Sequence, residues 1–225
     1  MLPCKVELMM PYRKLSLLCL LILCLAGATS EDPLLERANG IRENATITYT
    51  GHYEVACPLP VVKAALKKPL MMGALWTAYR YSPAYEVSAL DGPTAAHVKD
   101  PTGLVGDVWF VQDEGRRLVY LAEGTLDHWA VPVLNEGTTV FDVDLAPTGA
   151  GTQMTVTVSM LPESRIARAV LWTLTPIVKA RIESRVSNNF RDAARILETI
   201  ATTPDEVAQR LTGNMRREFE QAFQR

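Results

Sequence analysis

Any chemistry in this chain has to be built from few parts. There are three histidines, His52, His97 and His128, and no two fall at a spacing such as His-x-x-x-His that would let them share a metal ion. After residue 30 only one cysteine remains, Cys57, so no Cys/His cluster can form and no metal site is expected. Asp127-His128-Trp129 closes an extended stretch, the place where an acid–base histidine would stand at a cavity mouth. Asp107 interrupts a run of Val105, Val108, Trp109, Phe110 and Val111. Turned inward, its carboxyl would be raised by burial into a range suited to proton transfer; strand alternation favours turning it to water. Glu123 is a second strand carboxylate, and Arg116 and Arg117 follow a turn and read as solvated. There is no Gly-x-Ser-x-Gly elbow, phosphate loop or dinucleotide fingerprint. No catalytic constellation and no cofactor are therefore expected.

These residues sit behind an export signal. Lys5, Arg13 and Lys14 form a positive start, Leu15 to Leu25 is apolar apart from Ser16, and Ala26, Gly27, Ala28, Thr29 and Ser30 are small. Residues 1–30 thus read as a signal peptide cut after Ala28 or Ser30, delivering the chain to the periplasm or outside the cell. The run is shorter than the ~20 apolar residues of a membrane span. Leu18 and Leu23, which precede Cys19 and Cys24, are too bulky for a lipidation signal. The signal holds three of the 23 basic and one of the 25 acidic residues, which leaves the remainder at −4. That balance offers no basic surface to a nucleic acid. A lone Cys57 gives no disulfide, and it reads as a small buried hydrophobe. The remaining length, on the order of 195 residues, permits one domain with its own core.

Residues 31–44 are polar and aperiodic, a leader or frayed helix. A strand follows over Ala45–Ala56, ended by Cys57-Pro58-Leu59-Pro60. A short helix from Pro60 and a second over Leu70–Arg80 come next, the second greasy on all sides. Extended segments then recur at Tyr85–Leu90, Ala95–Lys99, Leu104–Gln112, Arg117–Asp127, Val131–Leu145 and Thr152–Met160, separated by Gly/Pro/Asp turns. Phe141, Val143 and Leu145 alternate with Asp142 and Asp144, as Met154, Val156, Val158 and Met160 do with Gln153, Thr155, Thr157 and Ser159. That is the pattern of an antiparallel sheet with one dry face. Glu163–Leu174 leads into a helix that Thr175-Pro176 starts afresh and that runs to Ile200. Thr203-Pro204-Asp205-Glu206 reads as a capping box for another short helix. Met215, Phe219 and Phe223 then mark a charged amphipathic tail whose default is a solvated helix, with transient membrane contact as the rival.

Strand, two short helices, about six antiparallel strands and a long helix is an order that resembles the SRPBCC or START-like superfamily of lipid-transport and polyketide-cyclase proteins. The local patterns carrying the resemblance are Ala56-Cys57-Pro58-Leu59-Pro60-Val61-Val62, Gly115-Arg116-Arg117-Leu118-Val119-Tyr120, Gly149-Ala150-Gly151-Thr152-Gln153-Met154-Thr155-Val156, and Leu161-Pro162 through Ile166 to Leu174. It implies an α+β helix-grip fold over 45–201, a curved antiparallel sheet around the long helix, with a leader at 31–44 and a helical tail at 202–225. It also implies a cavity between sheet and helix for a hydrophobic or amphipathic small molecule, such as a lipid. The greasy helix would roof it with Leu75, Trp76 and Tyr79. Trp109, Tyr120, Phe141, Val143, Val156 and Val158 would come from the sheet, and Leu174, Val178 and Ile182 from the long helix. Each could equally be plain core. The leading expectation is an exported, monomeric binding protein. A cyclase- or aromatase-like enzyme, and a partner-binding module with a vestigial cavity, are the alternatives. N-terminal sequencing of the mature protein should begin at Thr29 or Glu31; recovery of Met1, Met9 or Met10 at the terminus would show that no signal is removed.

Overall fold

The computed structural model describes residues 32–90, 92–101, 103–126 and 136–224, with the side chains of 92–93, 126, 170–179 and 181–182 outside the described set. The elements run α1 (Pro33–Asn44), β1 (Ile47–Val55), α2 (Leu59–Leu66), α3 (Pro69–Ala78), β2 (Glu86–Leu90), β3 (Gly92–Lys99), β4 (Leu104–Asp113), β5 (Arg117–Leu126), β6 (Glu136–Pro147), β7 (Thr152–Pro162), α4 (Arg165–Thr202), α5 (Pro204–Arg210) and α6 (Gly213–Phe223). Leu34–Arg225 forms one compact unit. No described helix is long and apolar enough to cross a membrane.

The strands make one antiparallel sheet in the order β1-β7-β6-β5-β4-β3-β2. β2 to β7 is a meander of hairpins, and β1 adds to β7 at the far edge. The fold is the expected α+β helix-grip: a curved sheet with a long C-terminal helix on its inner face. Curvature has a local cause in a row of glycines, because Gly106 pairs with Gly124 and Gly124 with Gly137. A Cβ on Gly106 would lie 2.4 Å from the Glu123 carbonyl oxygen, and one on Gly124 would lie 2.6 Å from that of Val105. Only residues without side chains let β4 and β5 close up here, whereas a Cβ on Gly137 would make ordinary contacts at 3.5 Å. A register shift between Phe110 and Gln112 adds a bulge that bends β4 further.

Three segments depart from the sequence reading. Residues 33–44 are an ordered helix: Leu34, Ala38 and Ile41 recur at helical spacing and pack on the outer sheet face against Val119, Leu121 and Val140. Its polar residues had masked a narrow apolar stripe. The expected break at Thr175-Pro176 is absent, and α4 is a single 38-residue helix. It starts at Ser164, whose hydroxyl accepts from the Ala167 N–H. An interior proline costs a helix about 3 kcal/mol, an amount that tertiary packing of the rest can offset. Thr203 does not close a capping box either; its hydroxyl donates to the Thr199 carbonyl instead.

The C-terminal tail is part of the main core. Phe219, Val207 and Leu211 are buried together with Leu75, Trp76, Ile196 and Leu197, and the Phe219 ring meets that of Phe223 at 4.9 Å. Alternating charge suggested solvation, but the apolar side of α6 meets the roof of the domain before it meets water. Phe219→Ala should therefore cost about 3–5 kcal/mol, read as a lower urea midpoint. A change under about 0.5 kcal/mol, the size of a surface substitution, would show that the tail is solvated after all.

Candidate functional site

Alternation sends Tyr49, Tyr53 and Val55 of β1, Phe110 of β4, Leu118 and Tyr120 of β5, Phe141, Val143 and Leu145 of β6, and Met154, Val156, Val158 and Met160 of β7 to the inner face. These residues belong to one apolar cluster, but they are not equally covered. At the end of the strands next to α2, α3, α5 and α6, Leu118, Leu145, Met154 and Val156 are fully buried. Toward the glycine row, Tyr49, Phe110, Ala122, Thr139, Phe141 and Met160 are only half-buried. The inner face thus has a solid half and a half that the described atoms leave partly open.

α4 borders the open half. It starts just beyond Pro162, which pairs with Gly137 in the glycine row. Arg185 then pairs with the buried carboxylate of Asp100 in the β3–β4 turn. Asp100 also accepts from the Leu104 N–H, at the end where Leu104 pairs with Leu126. Further along, Phe190 stacks on Tyr53 at 5.6 Å and lies 6.3 Å from Phe141, forming the boundary between the two halves. Tyr49 and Tyr53 place their hydroxyls 3.4 Å apart above Gly51, where a Cβ would come within 2.7 Å of both oxygens. Burial pushes the Tyr53 phenol up to about 12, and the Tyr49 hydrogen bond adds to this while a Ser187 hydrogen bond opposes it.

The roof is fastened by polar contacts at its rim. The Tyr120 phenol, buried and raised for that reason, donates to the Leu66 carbonyl at the end of α2. Trp76 donates to the Pro83 carbonyl at 2.8 Å, and Asn189 of α4 donates to the Tyr85 hydroxyl at 2.7 Å. The Arg210 guanidinium lies 4.5 Å over the Tyr79 ring, joining α5 to α3. Lys63 and Lys67 of α2 hold Asp113 at the end of β4, at 2.8 and 3.0 Å. Those two bonds, Lys63 first, pull its carboxyl down from 3.8 to about 2.

The sequence-derived lining set divides accordingly. Leu75, Trp76, Tyr120, Val143, Val156 and Val158 are buried, Tyr120 and Val158 in the same cross-strand row as the half-buried Phe110, Phe141 and Tyr49, and Tyr79 belongs to the Arg210 contact at the rim. Of the inward-facing sheet candidates, Phe141 is the one left half-buried. Trp109 is a correction: it pairs with Leu121 and packs under α1 on the outer face. Phe110, its neighbour, takes the inner position and sits against Tyr120 at 5.5 Å. The signal was in the chain, since Asp107 and Trp109 share a face and a solvated Asp107 carries Trp109 outward with it. Leu174, Val178 and Ile182 lie outside the residues whose side chains are described. Tyr49, Ala122, Thr139, Met160 and Phe190 went unnamed because alternation fixes which residues share a face, not how deeply each is covered.

The candidate acid–base groups do not converge inside. His97 Nδ1 lies 2.6 Å from Asp107 Oδ1 on the outer face, and Glu123 pairs there with Arg37 of α1. Asp142, on the same face, takes Arg42 through both oxygens at 2.6 and 3.0 Å. His128 lies outside the described residues. His52 Nδ1 is 3.0 Å from the Thr155 hydroxyl on an exposed outer surface. Cys57 is buried, and burial raises its thiol to about 11, so it is no nucleophile at neutral pH. Among the described residues no cluster of three His, Cys, Asp or Glu side chains could hold a metal ion.

No protein-family model matches this chain, and no curated protein matches it. Solved structures do. A Thermus thermophilus protein is 16% identical over 69% of this chain and 100% of its own, with a TM-score of 0.47. An Arthrobacter aurescens protein is 18% identical over 68% of this chain and 86% of its own, also at 0.47. A protein of the dynemicin biosynthetic locus is 16% identical over 68% of this chain and 47% of its own, at 0.43.

The Asp113 clamp has a pH signature. Its folded-state pKa is depressed, so the stability it adds is complete above the ordinary 3.8 and is lost as pH falls toward about 2. Wild-type protein should lose stability over that window, and Asp113→Asn should flatten this part of the profile in urea titrations. An unchanged acid limb in the variant would show that the clamp is not formed in solution.

Proposed function

We propose that this chain is an exported SRPBCC- or START-like binding protein, holding a hydrophobic or amphipathic small molecule between the half-buried part of its inner sheet face and α4. The observation that carries this reading is the division of one continuous apolar face into a solid half and a half-covered half. A face that existed only as core would be closed by packing along its whole length, since uncovered apolar area forfeits about 25 cal/mol per Å². Here α2, α5 and α6 join the cluster of Leu118, Leu145 and Met154 while α3 packs along β2 and β3, leaving Tyr49, Phe110, Ala122, Phe141 and Met160 partly uncovered beside a long helix. Ligand sites are mostly apolar with a few polar groups, which this set matches.

The export half of the proposal rests on Lys5, Arg13, Lys14, the Leu15–Leu25 run and the small residues to Ser30. An exported carrier shields apolar cargo from water, which is where burial of apolar area has its driving force. Binding is preferred to cyclase-like catalysis because Asp107 and Glu123, two of the groups that could have moved a proton inside, are on the outer face with His97 and Arg37. It is preferred to a partner-binding tail because α5 and α6 spend their apolar residues on the core.

Native mass spectrometry of protein purified from its own compartment should show an added small-molecule mass that solvent extraction removes. Ala122→Trp, which fills the open half from the middle of the sheet, should lower the loaded fraction at least about tenfold while the protein remains folded by circular dichroism. Protein that carries no ligand, with a variant indistinguishable from wild type, would overturn the proposal.

A further inference from the structure

The outer sheet face carries a row of side chains that the inner site does not use. Ser88 of β2 pairs with His97 of β3, His97 with Asp107 of β4, and Asp107 with Glu123 of β5. Residues directly opposite in an antiparallel ladder share a face, so four strands set these side chains next to one another. His97 Nδ1 lies 2.6 Å from Asp107 Oδ1. An ionised carboxylate only accepts, so Nδ1 carries the ring hydrogen and Nε2 keeps its lone pair. Nε2 belongs to the opposite edge of the imidazole, and with Nδ1 turned to β4 that edge is turned toward β2 and Ser88. Glu123, the next carboxylate in the row, is held by Arg37 of α1.

Serine, histidine and aspartate in this order are a nucleophile, a general base and the carboxylate that orients the base. Ser88 is exposed, and the His97 and Asp107 side chains are 31% and 34% exposed, so a solute reaches all three. Among the described residues His97 bonds Asp107 and not Ser88. The Cβ atoms of directly opposed residues lie about 4.5–5.5 Å apart, so rotation of the Ser88 side chain brings its hydroxyl to the ring. Catalytic hydrogen bonds of empty sites commonly tighten in this way when substrate arrives. β2 is the edge strand, and its ladder with β3 is interrupted between Ala89 and Leu90. Both circumstances leave backbone N–H groups near Ser88 without ladder partners, placed to donate to an oxyanion. Exposed Lys99, opposite Glu86 in the next pair on the same face, adds a cation.

We propose that Ser88, His97 and Asp107 form a second functional site, an esterase centre for small uncharged esters. As Ser88 Oγ bonds the acyl carbon, its proton passes to His97 Nε2. The imidazolium returns that proton to the departing alcohol oxygen as the ester C–O bond breaks. Water, deprotonated by the same nitrogen, then releases the acyl group as a carboxylic acid and restores Ser88. Asp107 is a positioning residue: it fixes the ring and its tautomer without touching the substrate. A strand surface buries little of a ligand compared with a cleft, so the substrate is a short acyl ester with a good leaving group. The proposal is independent of the inner-face binding reading.

Hydrolysis of 4-nitrophenyl acetate by the purified full chain, with fluorophosphonate labelling read by peptide mass spectrometry, tests it. The label should sit on Ser88, an Oγ–P bond replacing the P–F bond. Ser88→Ala and His97→Gln should each lower kcat/KM at least about a hundredfold while the protein stays folded by circular dichroism. The double variant should be no slower than either single one, because residues acting as a unit are not additive. Asp107→Asn should lower kcat with KM unchanged, and Asp107→Glu should regain part of the loss, a pattern that a purely structural contact does not give. A folded Ser88→Ala protein with wild-type turnover overturns the proposal. So does a label that avoids Ser88, or one that reaches Ser88 equally fast in folded His97→Gln, since the serine is then exposed but not activated.

Discussion

A strand turns successive side chains to opposite faces, and this sheet is apolar on both sides over part of its length. That single circumstance sets the rest of the architecture. Val119, Leu121 and Val140 alternate with Leu118, Tyr120 and Phe141, so each face needs its own cover. The chain supplies a small cover outside, α1, and a large one inside, made of α2 to α6. Apolar burial supplies most of the free energy on both faces, and the polar contacts decide where each cover sits.

The two covers are anchored differently for a physical reason. α1 offers little apolar area, essentially Leu34, Ala38 and Ile41, so its position depends on Arg37 meeting Glu123 and Arg42 meeting Asp142 on the sheet. A forked guanidinium on a carboxylate is directional and specifies register as well as attraction. The inner cover contributes Leu75, Trp76, Ile196, Leu197 and Phe219 and needs fewer such devices. Its polar contacts lie at the rim instead, in Tyr120 to Leu66, Trp76 to Pro83 and Asp113 to the α2 lysines. Rim placement leaves the described inward strand positions uncharged beyond Asp113.

The glycine row shapes the sheet locally. Gly106 and Gly124 let β4 and β5 close up where the sheet curves, and with Gly137 they remove side chains from the inner face at the same point. Bending and clearing are one event there, because both need the absence of a Cβ. α2 meanwhile sits at the opposite end, where Lys63 and Lys67 hold Asp113, while α3 packs along β2 and β3. A packed end and a relieved end then follow from where glycine falls along three neighbouring strands.

The chain's local patterns already determined much of this. Period-two alternation and turn residues marked every strand from β4 to β7 to within a few residues, and proline and apolar content marked α2 and α3. The order of those elements pointed to the helix-grip class, and Cys57 read correctly as a buried hydrophobe. These features are local, governed by backbone sterics and side-chain period, so a linear reading reaches them. Tertiary structure alone decided the rest. It turned a polar leader into α1 because three apolar residues found an uncovered sheet face. It drew Phe219 inward from a charged helix, carried α4 through Pro176, and set Trp109 outward with Phe110 inward. It also decided which inner residues are core and which border open space. Alternation assigns residues to a face, but coverage depends on what packs against that face from far along the chain, and no spacing in the sequence encodes that distance.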